Sequence, residues 1–368
     1  MLQAGVAGQV FPGGVACISF RDRNGTLELA EACAGATMLG AKPVADDTPY
    51  DLASLTKPIV ATIALRLAGR GAISLEARAD QFMADAKGTP GGAAPLELLL
   101  THRAGLAAWG GLYLDVPHEA GTTAARRWIL AEACRRSDDG PPGRAVYSDL
   151  GYMIGGEIIA RSSGRDLDDL LSMEIRKPLG LAEEQLAYAA TLSADRVAEF
   201  QRKVAPTERD DWRGKLIKGE VHDENCSALG GVAGHAGIFG TAKGVATFGR
   251  AVLDSRLGKS DFVPKNMIDH ALMERPGGTH RFGWDTKRPP PPPGTRPSAV
   301  PESAAGKRLS QESFGHLGFT GTSIWCDPKR DVVVVLLTNR VCPSRANEKI
   351  KGFRPAFHDG VIAVLDAT

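Results

Sequence analysis

Ser54 and Lys57 stand three residues apart in DLASLTKPIV, and on a helix that spacing brings both side chains to one face. A serine hydroxyl is a weak nucleophile until a neighbouring base takes its proton, and burial lowers a lysine's hold on its own proton. The pair could therefore be a nucleophile with its base. If a helix begins at Ser54, its free backbone N–H groups also lie beside the nucleophile and suit a developing oxyanion. Alone the pair proves little: about one Ser-x-x-Lys is expected by chance in a chain of this length. Ser54 also reads as a simple helix N-cap.

Two further stretches offer matching chemistry. In RAVYSDLGYMIGGEIIARSSG, Tyr147 sits where a loop enters a helical run, with Asp149 two residues on. A phenol titrates near pH ~10, so Tyr147 serves as a base at neutral pH only if a cation such as Lys57 stabilises the phenolate. The alternative is that Tyr147 packs at the helix entrance and Ser148 or Asp149 caps it. In FGHLGFTGTSIW, His316 can donate a hydrogen bond, and Gly315, Gly318 and Gly321 permit close approach of the backbone to a substrate. That segment is a candidate second half of an oxyanion hole, or a glycine-rich turn with a surface histidine.

These residues need a scaffold. GVACISF and TLELAEACAG read as strands joined by the turn DRNG, and TSIWCD and DVVVVLLTN flank the turn PKR near the other end. Hairpins at both ends predict an α/β (α+β) fold, in which N- and C-terminal strands form one antiparallel sheet flanked by helices. The tail 357–365 has helical spacing. From about Thr62 to Glu174 apolar residues recur at helical intervals, which predicts an inserted all-helical subdomain. The expected organisation is one domain over 1–368, with an α/β part at about 1–80 and 240–368 and a mainly helical part at about 81–239. Pro289 to Pro293 predict an exposed, extended loop.

Composition narrows the function. With 44 Lys and Arg against 43 Asp and Glu, the net charge is +1, and neither nucleic acid nor a membrane is expected as a partner. The longest aliphatic tract, Val332 to Leu337, suits a buried strand and is too short to cross a bilayer. No basic residue precedes Arg21 and no signal-peptide pattern opens the chain, so a cytoplasmic location is expected. The six cysteines are scattered without a C-x-x-C pair, and the histidines have no paired-ligand spacing, so neither a disulfide framework nor a metal is expected. There is no G-x-S-x-G elbow, and in LDSRLGKS Leu253 replaces the first glycine of a phosphate loop.

Ser54-Leu55-Thr56-Lys57, Tyr147-Ser148-Asp149 and His316-Leu317-Gly318 together resemble, in order and spacing, the three signatures of serine hydrolases related to class C β-lactamases. D-alanyl-D-alanine carboxypeptidases and esterases of the same fold belong to that group. LELLLTHRAGL and LGGVAGHAGIFGTAKGVATFGR are similar to two further segments of it. The resemblance implies a β-lactamase/transpeptidase-like fold. It also implies Ser54 as acylated nucleophile, Lys57 as proton acceptor or electrostatic partner, and Tyr147 as general base and acid. The backbone N–H groups of Ser54 and Phe319 would form the oxyanion hole, and no cofactor is implied.

Two positions depart from the lactamase pattern. Asp149 replaces an asparagine, exchanging an amide donor for an acceptor, and His316 replaces a lysine, weakening attraction for a substrate carboxylate. Both favour an esterase-like hydrolase of a small ester or amide over a β-lactamase or D-alanyl peptidase. An acyl-binding sensor is a third reading, opposed by the complete proton relay. The charged stretch 205–231 is expected to line the pocket, with metal ligation by His222, Asp223 and Glu224 as its alternative, and His235 is expected to border the acyl pocket.

Overall fold

The computed structural model describes residues 1–138, 140, 144–289 and 303–367; most of the expected proline loop, residues 290–293, lies outside the described residues. Strands β1 (Gly13–Arg21) and β2 (Leu27–Gly35) form the first hairpin, whose turn is held by Asp22 Oδ1 accepting from the N–H groups of Asn24 at 2.9 Å and Thr26 at 2.7 Å. Near the other end, β10 (Ser323–Asp327) and β11 (Val332–Thr338) form the second hairpin. The two join directly: β1 is antiparallel to β11, with Val15 opposite Leu337. With β8 (Asp285–Thr286) and β9 (Phe314–Leu317) the sheet has the order β2-β1-β11-β10-β9-β8 and is antiparallel throughout.

Strand β11 is apolar at nearly every position because both of its faces are covered. Val333, Val335 and Leu337 enter the main core, whereas Val332, Val334 and Leu336 join a second cluster with Phe357, Val361 and Ile362. The main core contains Ile59, Val60 and Ile63 of α1 (Thr56–Gly69), a helix apolar almost all round and accordingly buried. The helical stretch that follows includes α2 (Leu96–Leu100), α3 (Thr123–Arg135), α4 (Asp149–Ser163) and α5 (Glu224–Ala228). Helices α6 (Ala242–Arg256) and α7 (Ile350–Ala367) cover opposite faces of the large sheet, and α7 is longer than the tail spacing indicated.

The intervening stretch is not wholly helical. It carries β4 (Leu186–Tyr188), β5 (Arg209–Asp210) and β6 (Lys215–Leu216). A small second sheet joins β3 (Tyr50–Asp51), β7 (Ile238–Gly240) and β4, which fastens the approach to Ser54 against the glycine-rich segment. Strands of two or three residues are too short to show a period of two. Among the described residues, no helix is long and apolar enough to cross a membrane.

Candidate active site

Ser54 lies in a tight 3-10 turn, Ala53–Leu55, and the α-helix starts only at Thr56, one residue later than an N-cap at Ser54 requires. Ala53 adopts a left-handed backbone, φ 47°, which costs a non-glycine residue free energy. Asp51 holds that conformation by accepting from the Ala53 N–H at 2.8 Å and from the His222 N–H at 2.6 Å. The turn still aligns the pair: Lys57 Nζ donates to Ser54 Oγ at 2.9 Å.

Lys57 is fully buried, and its ammonium sits among four oxygens. Besides Ser54 Oγ these are Asp149 Oδ1 at 2.6 Å, the His235 carbonyl at 3.2 Å and the Tyr147 hydroxyl. Burial alone would push the amine down. The Asp149 carboxylate and the Tyr147 oxygen outweigh it and raise Lys57 above the ordinary lysine value. The expected lowering is therefore reversed, and in the resting site Lys57 is a cation.

Tyr147 projects from the loop just ahead of α4, whose N-cap Ser148 accepts from the Gly151 N–H at 3.1 Å. The phenol hydrogen-bonds to both Lys57 and Ser54 and is raised above its ordinary value, by burial first; Lys57 opposes the rise and Asp149 adds to it. Burial, with Asp149 adding to it, outweighs the charge of Lys57, so the phenolate that a nearby cation could have stabilised gives way to a neutral phenol. Three histidine rings surround it, His102 at 4.6 Å, His280 at 5.3 Å and His316 at 5.9 Å between centroids. Burial pushes all three down, His316 to about 3, so they are neutral. Neutral His316 donates from Nδ1 to the Leu317 carbonyl at 2.9 Å, leaving Nε2 as its acceptor.

The third signature reaches the nucleophile through backbone contacts. Thr320 donates its hydroxyl to the Asp51 carbonyl at 2.7 Å and Thr322 to the Leu52 carbonyl at 3.1 Å. A Cβ on Gly318 would lie 2.5 Å from the Leu52 carbonyl oxygen. The glycine expected to admit substrate instead admits the protein's own nucleophile turn. Gly315 is likewise closed in by Ile324 and Trp325, and Gly321 by Thr338. This clamping leaves the N–H groups of Ser54 and Phe319 without a protein acceptor among the described residues, as an oxyanion hole requires.

A cavity of about 630 Å³ opens over this centre. Its lining includes Ser54, Tyr147, Asp149, His235, His316, Gly318 and Phe319, so the structure gathers the candidate side chains and the clamped turn in one place; Lys57 lies beneath them. His222, Asp223 and Glu224 also line it but point to separate partners. His222 bonds Glu208 at 2.7 Å and stacks on Phe319, Asp223 bonds His235 at 2.9 Å, and Glu224 pairs with Arg345 at 2.6 Å. Among the described residues no three metal-binding side chains converge.

The family profile described as Beta-lactamase matches residues 1–352. The chain belongs to the Beta-lactamase family. An N-acetylmuramyl-L-alanine amidase of Bacillus subtilis is 28% identical over 321 residues, covering 80% of this chain and 68% of the relative. A putative D-alanyl-D-alanine carboxypeptidase of Salmonella agona is 28% identical over 348 residues, 86% of this chain and 75% of the relative. In fold, the chain is similar to a class C β-lactamase of Rhodobacter sphaeroides, with TM-score 0.66, 20% identity and 97% coverage of each chain. This β-lactamase-fold serine hydrolase thus has relatives named as amide hydrolases.

Several residues of this family member's site escaped the sequence reading. His102 lies in LELLLTHRAGL, far in sequence from the three signatures, and His280 belongs to no pattern. Arg340 and Arg354 both line the cavity. Arg354 is buried and donates from Nη2 to the Gly318 and Thr322 carbonyls at 2.6 and 2.8 Å. Among the described residues its Nε has no hydrogen-bond partner, and burial lowers its guanidinium to about 9. Among the described residues, neither arginine has a carboxylate within ion-pair distance. A basic residue in a helix reads as solvated, so the only available signal was its placement on α7.

Proposed function

We propose that this hydrolase cleaves a small amide through an acyl-enzyme on Ser54. The observation that carries this reading is the contact of the Tyr147 phenol with both Ser54 and Lys57, where burial raises the phenol above its ordinary value and favours its neutral form. An amide nitrogen departs only when protonated, and a neutral phenol beside the nucleophile is the donor it needs. Ser54 attacks the carbonyl carbon, the N–H groups of Ser54 and Phe319 receive the oxyanion, and Tyr147 protonates the departing nitrogen. Water then attacks the acyl-enzyme and releases the acid.

Two features bear on substrate type. Arg340 and Arg354, cations lining the cavity without carboxylate partners among the described residues, support a substrate carrying an anionic group. The amidase and carboxypeptidase relatives support amide chemistry. Ester cleavage is the second reading, favoured by His316, which lacks the positive charge that a lysine would place at the third signature.

The test compares a p-nitroanilide and a p-nitrophenyl ester of the same short acyl group, with Ser54→Ala as control. Nitrophenolate leaves unprotonated, whereas the anilide nitrogen does not. Tyr147→Phe is expected to cut anilide kcat/KM by about 10²–10⁴ and ester kcat/KM far less. Equal losses on both substrates would remove Tyr147 from the leaving-group role, and an anilide that is never turned over would leave the ester reading.

A further inference from the structure

We infer that Asp149 is the proton store of this site: its carboxylate takes a proton from Lys57 as Lys57 takes the Ser54 hydroxyl proton. This rests on the acyl-enzyme reading above and extends it. An ammonium has three N–H bonds and no lone pair, and Lys57 Nζ has four oxygens around it, Ser54 Oγ, the His235 carbonyl, Asp149 Oδ1 and the Tyr147 hydroxyl. It can accept a proton only while giving one up. Of its four neighbours, a carbonyl does not keep a proton at neutral pH, Ser54 is the group losing one and the Tyr147 phenol has no site free for a second. The remaining neighbour is the carboxylate, at 2.6 Å.

The other groups facing this centre are poor substitutes. Tyr147 already carries its proton. His102, His280 and His316, from three different loops or strands, are held neutral and bind a proton weakly. Asp223 is held well below the usual carboxylate range, chiefly by His235, which overcomes the effect of burial, and its Oδ1 is engaged by that histidine. Asp149 opens α4 and makes no hydrogen bond at Oδ1 beyond its approach to Lys57. Ser148, and not Asp149, caps α4, so no capping role accounts for the carboxylate.

The steps balance. A Lys57 proton moves first to Asp149, and the lone pair so freed takes the hydroxyl proton as the Ser54 Oγ–C bond forms, leaving a neutral acid beside a restored ammonium. When the C–N bond breaks, the amine takes the Tyr147 proton, Tyr147 recovers one from Lys57, and Lys57 recovers one from Asp149. In deacylation a proton of the attacking water follows the same route to Asp149. It returns to Ser54 Oγ as the acyl C–O bond breaks.

The experiment records kcat/KM against pH for the wild type, Asp149→Asn and Asp149→Ala on the p-nitroanilide, with Ser54→Ala as blank and thermal unfolding as a check on folding. The wild-type rate should fall on the acid side as the store fills. Asp149→Asn should lose about 10²–10⁴ in kcat/KM and lose that acid limb, and formate should restore Asp149→Ala by about tenfold or more together with the limb. An asparagine variant that keeps the acid limb, whether its rate is high or low, overturns the inference, as does an alanine variant indifferent to formate. Turnover persisting in Ser54→Ala is a separate result that would overturn the acyl-enzyme reading itself.

Discussion

The buried Arg354 presents an unusual electrostatic problem, since among the described residues it has no carboxylate partner. Its carbonyl contacts satisfy one nitrogen, and its Nε is left without a hydrogen bond. If an anionic substrate supplies the missing charge, Arg354→Gln should discriminate between substrates. Using glutaryl and pentanoyl p-nitroanilides, KM for the glutaryl compound should rise by about tenfold, the scale of one charge-assisted hydrogen bond, and by clearly more than for the pentanoyl compound. A wild-type enzyme that treats the two alike would remove the anionic-substrate argument. Ser54, Lys57 and Tyr147 were legible from residue type and spacing. Their protonation was not, because it depends on the distance of Asp149 from Lys57, which no spacing encodes.

At the scale of elements, the site is a clamp between two turns. Thr320 and Thr322 reach from the β9–β10 connection to the carbonyls just before Ser54, and Gly318 is the point of closest approach. Gly318→Ala places a methyl against the Leu52 oxygen and must part the turns. It should lower kcat by about 10²–10³, the effect of losing one oxyanion donor, while Ser54 and Tyr147 remain in place. Steady-state kinetics with a thermal melt will check this, and an unchanged kcat would show that Phe319 is not a donor. The two hairpins were readable because DRNG and PKR mark their turns. The two-residue strand β3 and the left-handed Ala53 were not, since neither has a periodic or compositional signature and both are imposed by tertiary contacts.

For the whole molecule, Asp331 ties the N-terminal hairpin to the helical layer. It accepts from Arg21 at 2.9 Å, and Arg250 of α6 and Lys259 converge on the same carboxylate. Burial alone would raise its carboxyl, but Lys259 and Arg250 hold it below the usual value. A depressed folded value adds stability above the unfolded carboxylate pKa of about 3.9, and that stability is lost as pH falls through the lower folded value. Asp331→Asn retains a residue suited to the left-handed φ of 52°. It should cost about 1–2 kcal/mol in urea unfolding at neutral pH, discounted for partial exposure, and progressively less in acid. A loss that does not diminish in acid would point to backbone strain.

The pairing of β1 with β11 also governs when the molecule can first act. During synthesis the N-terminal hairpin, the nucleophile turn and the second signature leave the ribosome long before Phe319, Thr320 and the strands that clamp them. At about 5–20 residues per second, the chain spends many seconds with Ser54 made but no oxyanion donor opposite it and one long edge of β1 unpaired. A nascent chain stalled before residue 314 should therefore be catalytically silent and in need of a chaperone, and activity should appear only as the last hairpin docks.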